Sequence, residues 1–343
     1  RCHPCTHSGG YYFHNSTKLI AGCDTNSQRL EYFGRKWNIP QEKLYSSYKK
    51  LLEEQKDIDI LSIASDTPTH FEILKHALNI KNIKAILLEK PIVAKISEAN
   101  ELELLISKTD KKIFINHERR FMTEYKFVKK LIKECKFKKL KTMIGNVLTS
   151  GLKDDWHSDW RESGGGPLLH DGTHLVDILN YFADSEIDCL TGWIKFSEPR
   201  NKYQVENSAN AQLQYKNGII AFIESAGDRN FFNFEIDLQF ENGRIKIGNG
   251  IWEVYEVQAS RQYEHFFDLV RTAKITAPPS RPFFLEIVDE IIKSIEDDNY
   301  KICSSPTDAL NAFWAIMAIY YSGLTNNQKI KFPFKIDRHP FDY

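Results

Sequence analysis

Residues Ile58-Asp-Ile-Leu-Ser-Ile-Ala-Ser65-Asp-Thr-Pro-Thr-His70-Phe-Glu-Ile-Leu-Lys-His-Ala-Leu78 show how the first half of the chain is built. An apolar run up to Ser65 reads as a buried strand, Asp66 to Thr69 as a polar turn, and Phe71 to Leu78 has helical spacing. Downstream, Ala85-Ile-Leu-Leu is a further strand that ends in Glu89-Lys90-Pro91. An amphipathic helix is predicted over 92–109, and Lys112-Ile-Phe-Ile-Asn116 is the next strand. Upstream, Lys18-Leu-Ile-Ala-Gly-Cys-Asp24 is a short apolar run closed by an acid, followed by a helix around Ser27 to Trp37. Strands alternating with helices predict a parallel sheet wound on both faces, an α/β domain.

In such sheets ligands bind at the carboxyl ends of the strands. Asp24, the Ser65–His70 turn with Ser65, Thr67 and His70, then Glu89, Lys90 and Asn116 are therefore expected to face one crevice. An acid closing the second strand of a dinucleotide fold hydrogen-bonds the adenosine ribose, and its charge repels a 2′-phosphate. Asp24 in that role favours NAD over NADP. The glycine fingerprint G-x-G-x-x-G is missing, and no strand precedes it here; the sequence is expected to start downstream of a natural first strand and phosphate loop. The pyrophosphate's usual amide cradle would otherwise be lost.

The second half has a different pattern. After a helix near Tyr125 to Glu134, strand-like runs occur at about 141–149, 187–196, 208–215, 218–225, 233–240, 243–248 and 251–257. Lys216-Asn217-Gly218 and Glu241-Asn242-Gly243 are hairpin signals, so this sheet is expected to be open and mainly antiparallel, an α+β domain. Helices are predicted at about 281–297 and 306–323. The domains are expected to span 1–120 and 121–343.

Within the second half stands Arg161-Glu-Ser-Gly-Gly-Gly-Pro-Leu-Leu-His170-Asp171-Gly-Thr-His174. Gly164 to Gly166 carry no Cβ and can lie close to a ligand or another strand. The residues after them read as one helix, with His170 and His174 one turn apart on the same face. Imidazole suits proton exchange near neutral pH. Two other readings stand beside it: satisfied polar residues, or zinc ligands at helical spacing. The glutamate of a zinc-protease helix is absent and Gly172 weakens the helix, so no metal is expected. Ahead of the glycines, Asp154-Asp-Trp-His157-Ser-Asp-Trp160-Arg161 is rich in groups that grip hydroxyls. Trp160 could stack on a sugar ring and Arg161 hold a carboxylate or phosphate, or the run could be a polar loop anchored by core tryptophans.

The 343 residues suffice for two domains with cores of their own, and 46 basic side chains balance 46 acidic ones. That balance gives no attraction to nucleic acid or to an acidic membrane, and no apolar run approaches a membrane span. No signal peptide is recognised, although a chain beginning with Arg1 is expected to have lost its initiator. Six cysteines over this length are ordinary for a reduced, cytoplasmic protein. Cys2-His3-Pro4-Cys5 has the spacing of a redox pair or half a zinc site, with His7 and His14 nearby. No strand precedes it and no second cysteine pair completes it.

Glu89-Lys90-Pro91 at a strand end, together with the glycine-rich segment bearing His174, resembles the glucose-fructose oxidoreductase / inositol dehydrogenase family (Gfo/Idh/MocA). The resemblance covers essentially the whole chain, including the Ser65–His70 turn, the Asn116–Phe121 crossover, Trp160-Arg161 and the closing Ser304-Ser-Pro-Thr-Asp308-Ala helix. It implies an N-terminal Rossmann domain and a C-terminal domain on an open antiparallel sheet. It also implies NAD(P)-dependent oxidation or reduction of a secondary carbinol of a sugar, cyclitol or nucleotide sugar. Lys90 corresponds to the family lysine near the nicotinamide and the reacting hydroxyl, and Pro91 to a proline that often follows a cis peptide. His174 corresponds to the acid/base histidine. Many members carry an aspartate where this chain has His170; position favours His170 as its replacement, charge favours Asp171. Arg119 or Arg120 would close over the cofactor, the other being a surface charge. A homodimer or homotetramer is the family-level expectation for the open sheet. A dinucleotide- or sugar-sensing regulatory protein without turnover is the competing reading of the same fold.

Overall fold

The computed structural model describes residues 5–150, 156–197 and 202–342. Cys2 and His3, and the start of the 154–161 run, lie outside the described residues. The chain forms two compact units: the first comprises Arg1–Ile92, Glu101–Met122 and Arg281–Pro306, the second Val93–Asn100, Thr123–Ser280 and Thr307–Tyr343.

The first unit runs α1 (His7–Phe13), β1 (Gly22–Cys23), α2 (Ser27–Trp37), β2 (Leu44–Tyr45), α3 (Tyr48–Glu54), β3 (Ile60–Ile63), α4 (His70–Leu78), β4 (Ala85–Leu88), α5 (Ile96–Ile106, shared with the second unit) and β5 (Lys112–Ile115). Asn26 caps α2 by accepting the Arg29 amide, Asn38 ends it in the left-handed region, and Leu30, Gly34 and Trp37 form its buried face. Strands β3, β4 and β5 are parallel and in register, Ile60 with Ala85 with Lys112. As the middle strand, β4 is covered on both faces, which its unbroken Ala-Ile-Leu-Leu suits. A core of Tyr11, Leu87, Phe114, Phe121, Phe284, Ile287 and Ile291 joins α1 to the later helix over residues 283–296.

The parallel sheet is in two pieces, β1–β2 and β3–β4–β5. A cavity of about 1390 Å³ is lined by residues of both, Leu19–Asp24 on one side and Ile58–Asp66 on the other. This corrects the strand expected over 18–24: only Gly22 and Cys23 are in a ladder, with Leu44 and Tyr45. A strand exists through its neighbours, and residues 18–21 have none in the ladder.

In the second unit α6 (Thr123–Lys133) leads to β6 (Leu140–Leu148), α7 (Trp160–Ser163), α8 (Pro167–His170) and α9 (Gly172–Ala183). Strands β7 (Ile187–Lys195), β8 (Ser208–Tyr215), β9 (Ile220–Ala226), β10 (Asn233–Phe240), β11 (Gly243–Gly248), β12 (Ile251–Ala259) and β13 (Phe267–Arg271) follow. Helix α10 (Phe283–Glu296) belongs to the first unit, and α11 (Pro306–Leu324) and β14 (Ile330–Lys331) complete the second. The nine strands are ordered β13-β12-β11-β10-β6-β9-β8-β7-β14, antiparallel except for β6 beside β9. Leu175 of α9 lies over Gly145 of β6, and Ile319 of α11 over Gly192 of β7. Ile144, Trp193 and Phe222 on β6, β7 and β9 are exposed. No helix among the described residues is long and apolar enough to cross a membrane.

Candidate active site

In the first unit the site is organised by the end of β4. The ladder continues one residue past each strand, with the Glu89 amide on the Ile63 carbonyl and the Asn116 amide on that of Leu88. Glu89 Oε1 accepts from His7 Nε2 at 2.9 Å and from Asn116 Nδ2 at 2.7 Å. The other ring nitrogen of His7 meets Ser62 Oγ at 3.0 Å, and Ser62 in turn donates to the Tyr11 hydroxyl. Burial works to raise the Glu89 pKa, but the His7 hydrogen bond and charge, Asn116 and neighbouring Lys90 outweigh it and hold the carboxyl at about 2. Lys90 is half-buried, and its peptide bond to Pro91 is cis.

The other residues singled out from the sequence are distributed as follows. Asp24 follows β1, lines the large cavity with Ser65 and Asp66, and accepts the Asn26 amide at 2.8 Å. Thr67 is buried in the turn after β3, while Ser65 is exposed and takes a hydrogen bond from Thr69 Oγ1. His70 is 1% exposed, with Nδ1 at 2.8 Å from the Pro91 carbonyl and Nε2 at 2.9 Å from that of Ser65. It ties the β3 turn to the Lys90–Pro91 turn, and burial lowers its pKa. Arg119 and Arg120 are both buried, which corrects the expectation that one is a surface charge; Arg120 donates to the Cys303 carbonyl. In sequence His7 is a neighbour of Cys5, yet its partners are Glu89 and Ser62. His14 pairs with Asp289 at 2.8 Å.

In the second unit the glycine turn is a junction between two short helices. Asp159 caps α7 by accepting the Arg161 amide, and α7 ends at Gly164 with φ 78°. A Cβ at Gly164 would lie 2.3 Å from the Ala94 carbonyl oxygen, a backbone contact that cannot yield. Pro167 opens α8, where its missing N–H costs nothing. The single helix expected to carry both histidines is broken at Asp171: His170 is the last residue of α8, and His174 sits in the first turn of α9. The His174 amide bonds the Asp171 carbonyl three residues back, which tightens the turn where Gly172 packs against Leu168 and Ser225. His170 is 6% exposed and meets the His157 ring edge-on at 5.3 Å, whereas His174 and Asp171 are half-buried.

Trp160 is a packing residue. Its indole is 8% exposed, stacked on His339 at 4.8 Å with Phe341 at its edge. Arg161 is exposed, grips Asp159 through its guanidinium, and lies over the Tyr203 ring at 3.5 Å. Sequence reasoning missed Glu206, a fully buried carboxylate beneath the glycine turn, because its partners are far away in sequence.

Residues 6–117 match the description "Oxidoreductase family, NAD-binding Rossmann fold", and residues 125–246 match "GFO/IDH/MocA C-terminal domain". Oxidoreductase P35 of Formosa agariphila is 24% identical over 224 residues, which are 61% of this chain and 64% of that protein. Myo-inositol 2-dehydrogenase of Thermotoga maritima is 23% identical over 234 residues, 67% of this chain and 68% of its own length. The chain thus spans about two thirds of these curated relatives. A levoglucosan dehydrogenase solved in complex with NADH superposes with a TM-score of 0.79 at 18% identity, covering 96% of each chain. With a Rossmann-type first unit and a second unit on a mostly antiparallel sheet, each matched by its own half of one family, the chain belongs to the Gfo/Idh/MocA oxidoreductases.

Proposed function

We propose that the chain is an NAD-dependent dehydrogenase or reductase acting on a secondary carbinol of a sugar, cyclitol or nucleotide sugar. The observation that carries this reading is the end of β4, where Lys90 leaves a fully buried strand beside a carboxylate kept ionised by His7 and Asn116. The residues present fit a nicotinamide nucleotide. Asn116 Oδ1 is a buried acceptor with no hydrogen-bond partner among the described residues, suited to a ligand amide. Asp24 lies on the cavity wall, where its carboxylate can accept from ribose hydroxyls and repel a 2′-phosphate.

When bound, the nicotinamide supplies or accepts the hydride. In the oxidative direction the His174 imidazole takes the hydroxyl proton, and the Lys90 ammonium stabilises the developing alkoxide charge. In reduction the same groups protonate and polarise the carbonyl oxygen. His170 or Asp171 orients the substrate, and His157 and Arg161 offer donors to its hydroxyls. Arg119 and Thr67 support the nucleotide. The names of the inositol and levoglucosan dehydrogenases support a polyhydroxylated ring as substrate. The exposed Ile144, Phe222 and Trp193 support a homodimer or homotetramer through that sheet face, and the free cysteines suit a reducing, cytoplasmic setting.

Fluorescence titration with NADH and NADPH tests the reading, followed by turnover assays with myo-inositol, levoglucosan and nucleotide sugars. Tighter NADH binding that survives Lys90→Ala and His174→Ala, with turnover lost in both, is expected. Absence of binding by either nucleotide overturns it.

A further inference from the structure

Glu206 lies two residues ahead of β8 and is 1% exposed. Its carboxylate receives three hydrogen bonds, each at 2.9 Å: from the Gly166 amide on Oε2, and from the Leu168 amide and the Tyr320 hydroxyl on Oε1. Gly166 and Leu168 flank Pro167, which has no N–H, so the carboxylate takes both amides presented at the head of α8. An N-cap side chain ordinarily satisfies these groups from the adjacent residue. Here the acceptor comes from 40 residues away. A Cβ at Gly166 would lie 2.5 Å from the Glu206 carbonyl oxygen and 2.8 Å from its Oε2, so only glycine admits the carboxylate. The third donor, Tyr320, belongs to α11 and is fully buried. One buried side chain thereby ties the glycine turn, α8 and α11 together.

We infer that Glu206 is a positioning residue: by capping α8 from a distance, its carboxylate fixes the glycine turn and the His170–Asp171–His174 segment that follows. The effect on turnover rests on the proposed role of His174, whereas the clamp itself can be observed without turnover. Burial pushes the Glu206 carboxyl up to about 7, against the bonds from Leu168, Tyr320 and Gly166. Protonation turns one of these acceptor sites into a donor and removes the charge that strengthens the bonds from the two amides and the hydroxyl. The clamp is complete above that pH and weakened below it.

The titratable groups around Glu206 are few. Tyr320 is raised well above its ordinary value by burial and by Glu206 itself. His339, 6.2 Å from the Tyr320 ring, is lowered by burial to about 4 while bonded to the Gly164 carbonyl; Asp342 lies beyond it. On α8 itself, His170 faces His157.

The test is a pH titration, from about 5.5 to 9, of the ¹⁵N-labelled Gly166 and Leu168 amides in the full chain. Both are expected to follow one midpoint near 7. Glu206→Gln should abolish it, and Tyr320→Phe, which removes a donor to the carboxylate, should move it upward. Gly166 and Leu168 amide shifts left unmoved at about pH 9 by Glu206→Gln, or a titration that persists in that variant, overturn the inference. Should Glu206→Gln fail to fold, a midpoint unmoved in Tyr320→Phe overturns it equally. In turnover, kcat is expected to drop with the same midpoint while KM holds. An intact amide titration in a protein without turnover supports the clamp and counts against the dehydrogenase reading alone.

Discussion

Glu89, half-buried in the first unit, and Glu206, fully buried in the second, are both carboxylates at a backbone turn, yet their ionisation is driven in opposite directions. Glu89 is held at about 2 and Glu206 is pushed up to about 7. Burial acts upward on both, and both accept hydrogen bonds from neighbouring groups. Two things differ: Glu206 is fully buried and takes its bonds from neutral amides and a hydroxyl, whereas Glu89 is half-buried, supported first by the His7 hydrogen bond and then by the charges of His7 and Lys90. Hydrogen bonds favour the ionised form of both acids; at Glu89 they prevail, and at Glu206 complete burial outweighs them. Each carboxylate also steadies the turn next to one proposed reacting group, Lys90 in one unit and His174 in the other.

The largest effects should follow from removing those groups themselves. His174→Ala is expected to lower kcat by between about a hundredfold and ten-thousandfold, the usual scale of general acid–base catalysis. Lys90→Ala should cost a comparable factor. If both act on one hydroxyl, the double variant will lose far less than the product of the single losses. Strict multiplicativity in steady-state assays would break the pairing.

Stability comes next. Glu89→Gln removes a charge-assisted bond from His7 and should destabilise the chain by about 2–3 kcal/mol in urea unfolding at pH 7. The pH dependence sharpens the comparison, because the two acids have opposite signs. The Glu89 pKa is lowered from 4.5 to about 2, so its contribution is complete above pH 4.5 and is lost as pH falls through 2. The Glu206 pKa is raised from 4.5 to about 7, so stability from this group is complete below pH 4.5 and is lost as pH rises through 7, because the cost of burying the charge exceeds the gain from the stronger hydrogen bonds. The wild-type chain should therefore lose up to about 3 kcal/mol from this group between pH 5 and 8, and Glu206→Gln should remove that slope. An identical slope in the variant would mean that Glu206 stays ionised across the range.

What was legible in the sequence was local. Ala85–Leu88 and Ser27–Trp37 were read at their observed bounds, as were 233–240 and 243–248, because periodicity, caps and hairpin turns lie within the segments themselves. Helix α1 escaped notice because Gly9 and Gly10 are poor helix formers; a cap from Thr6 and the close approach of Gly10 to Phe284 sustain it. Strand β13 escaped because it is exposed along its whole length. The motif residues Lys90 and His174 could be found in one dimension, but their supports could not. His7 reaches Glu89 across 82 positions and Glu206 reaches Tyr320 across 114, and no spacing rule connects them. At the break between His170 and His174, Gly172 lies against Ser225, again a distant contact.

The smallest expected effect concerns neither of these acids but Asp24, and it marks where such charges stop mattering to the fold. The Asp24 carboxylate bonds its own turn, through the Asn26 amide, so Asp24→Ser should leave stability within about 0.5 kcal/mol. Its consequence should appear in nucleotide choice. With the negative charge gone, repulsion of a 2′-phosphate disappears and one acceptor for the ribose hydroxyls is weakened, shifting the NADH-to-NADPH affinity ratio about tenfold toward NADPH. Paired fluorescence titrations at low and high salt measure this, and the repulsive part should shrink as salt screens it. A ratio unchanged by the substitution would remove Asp24 from the nucleotide site and leave discrimination to other residues at the strand ends.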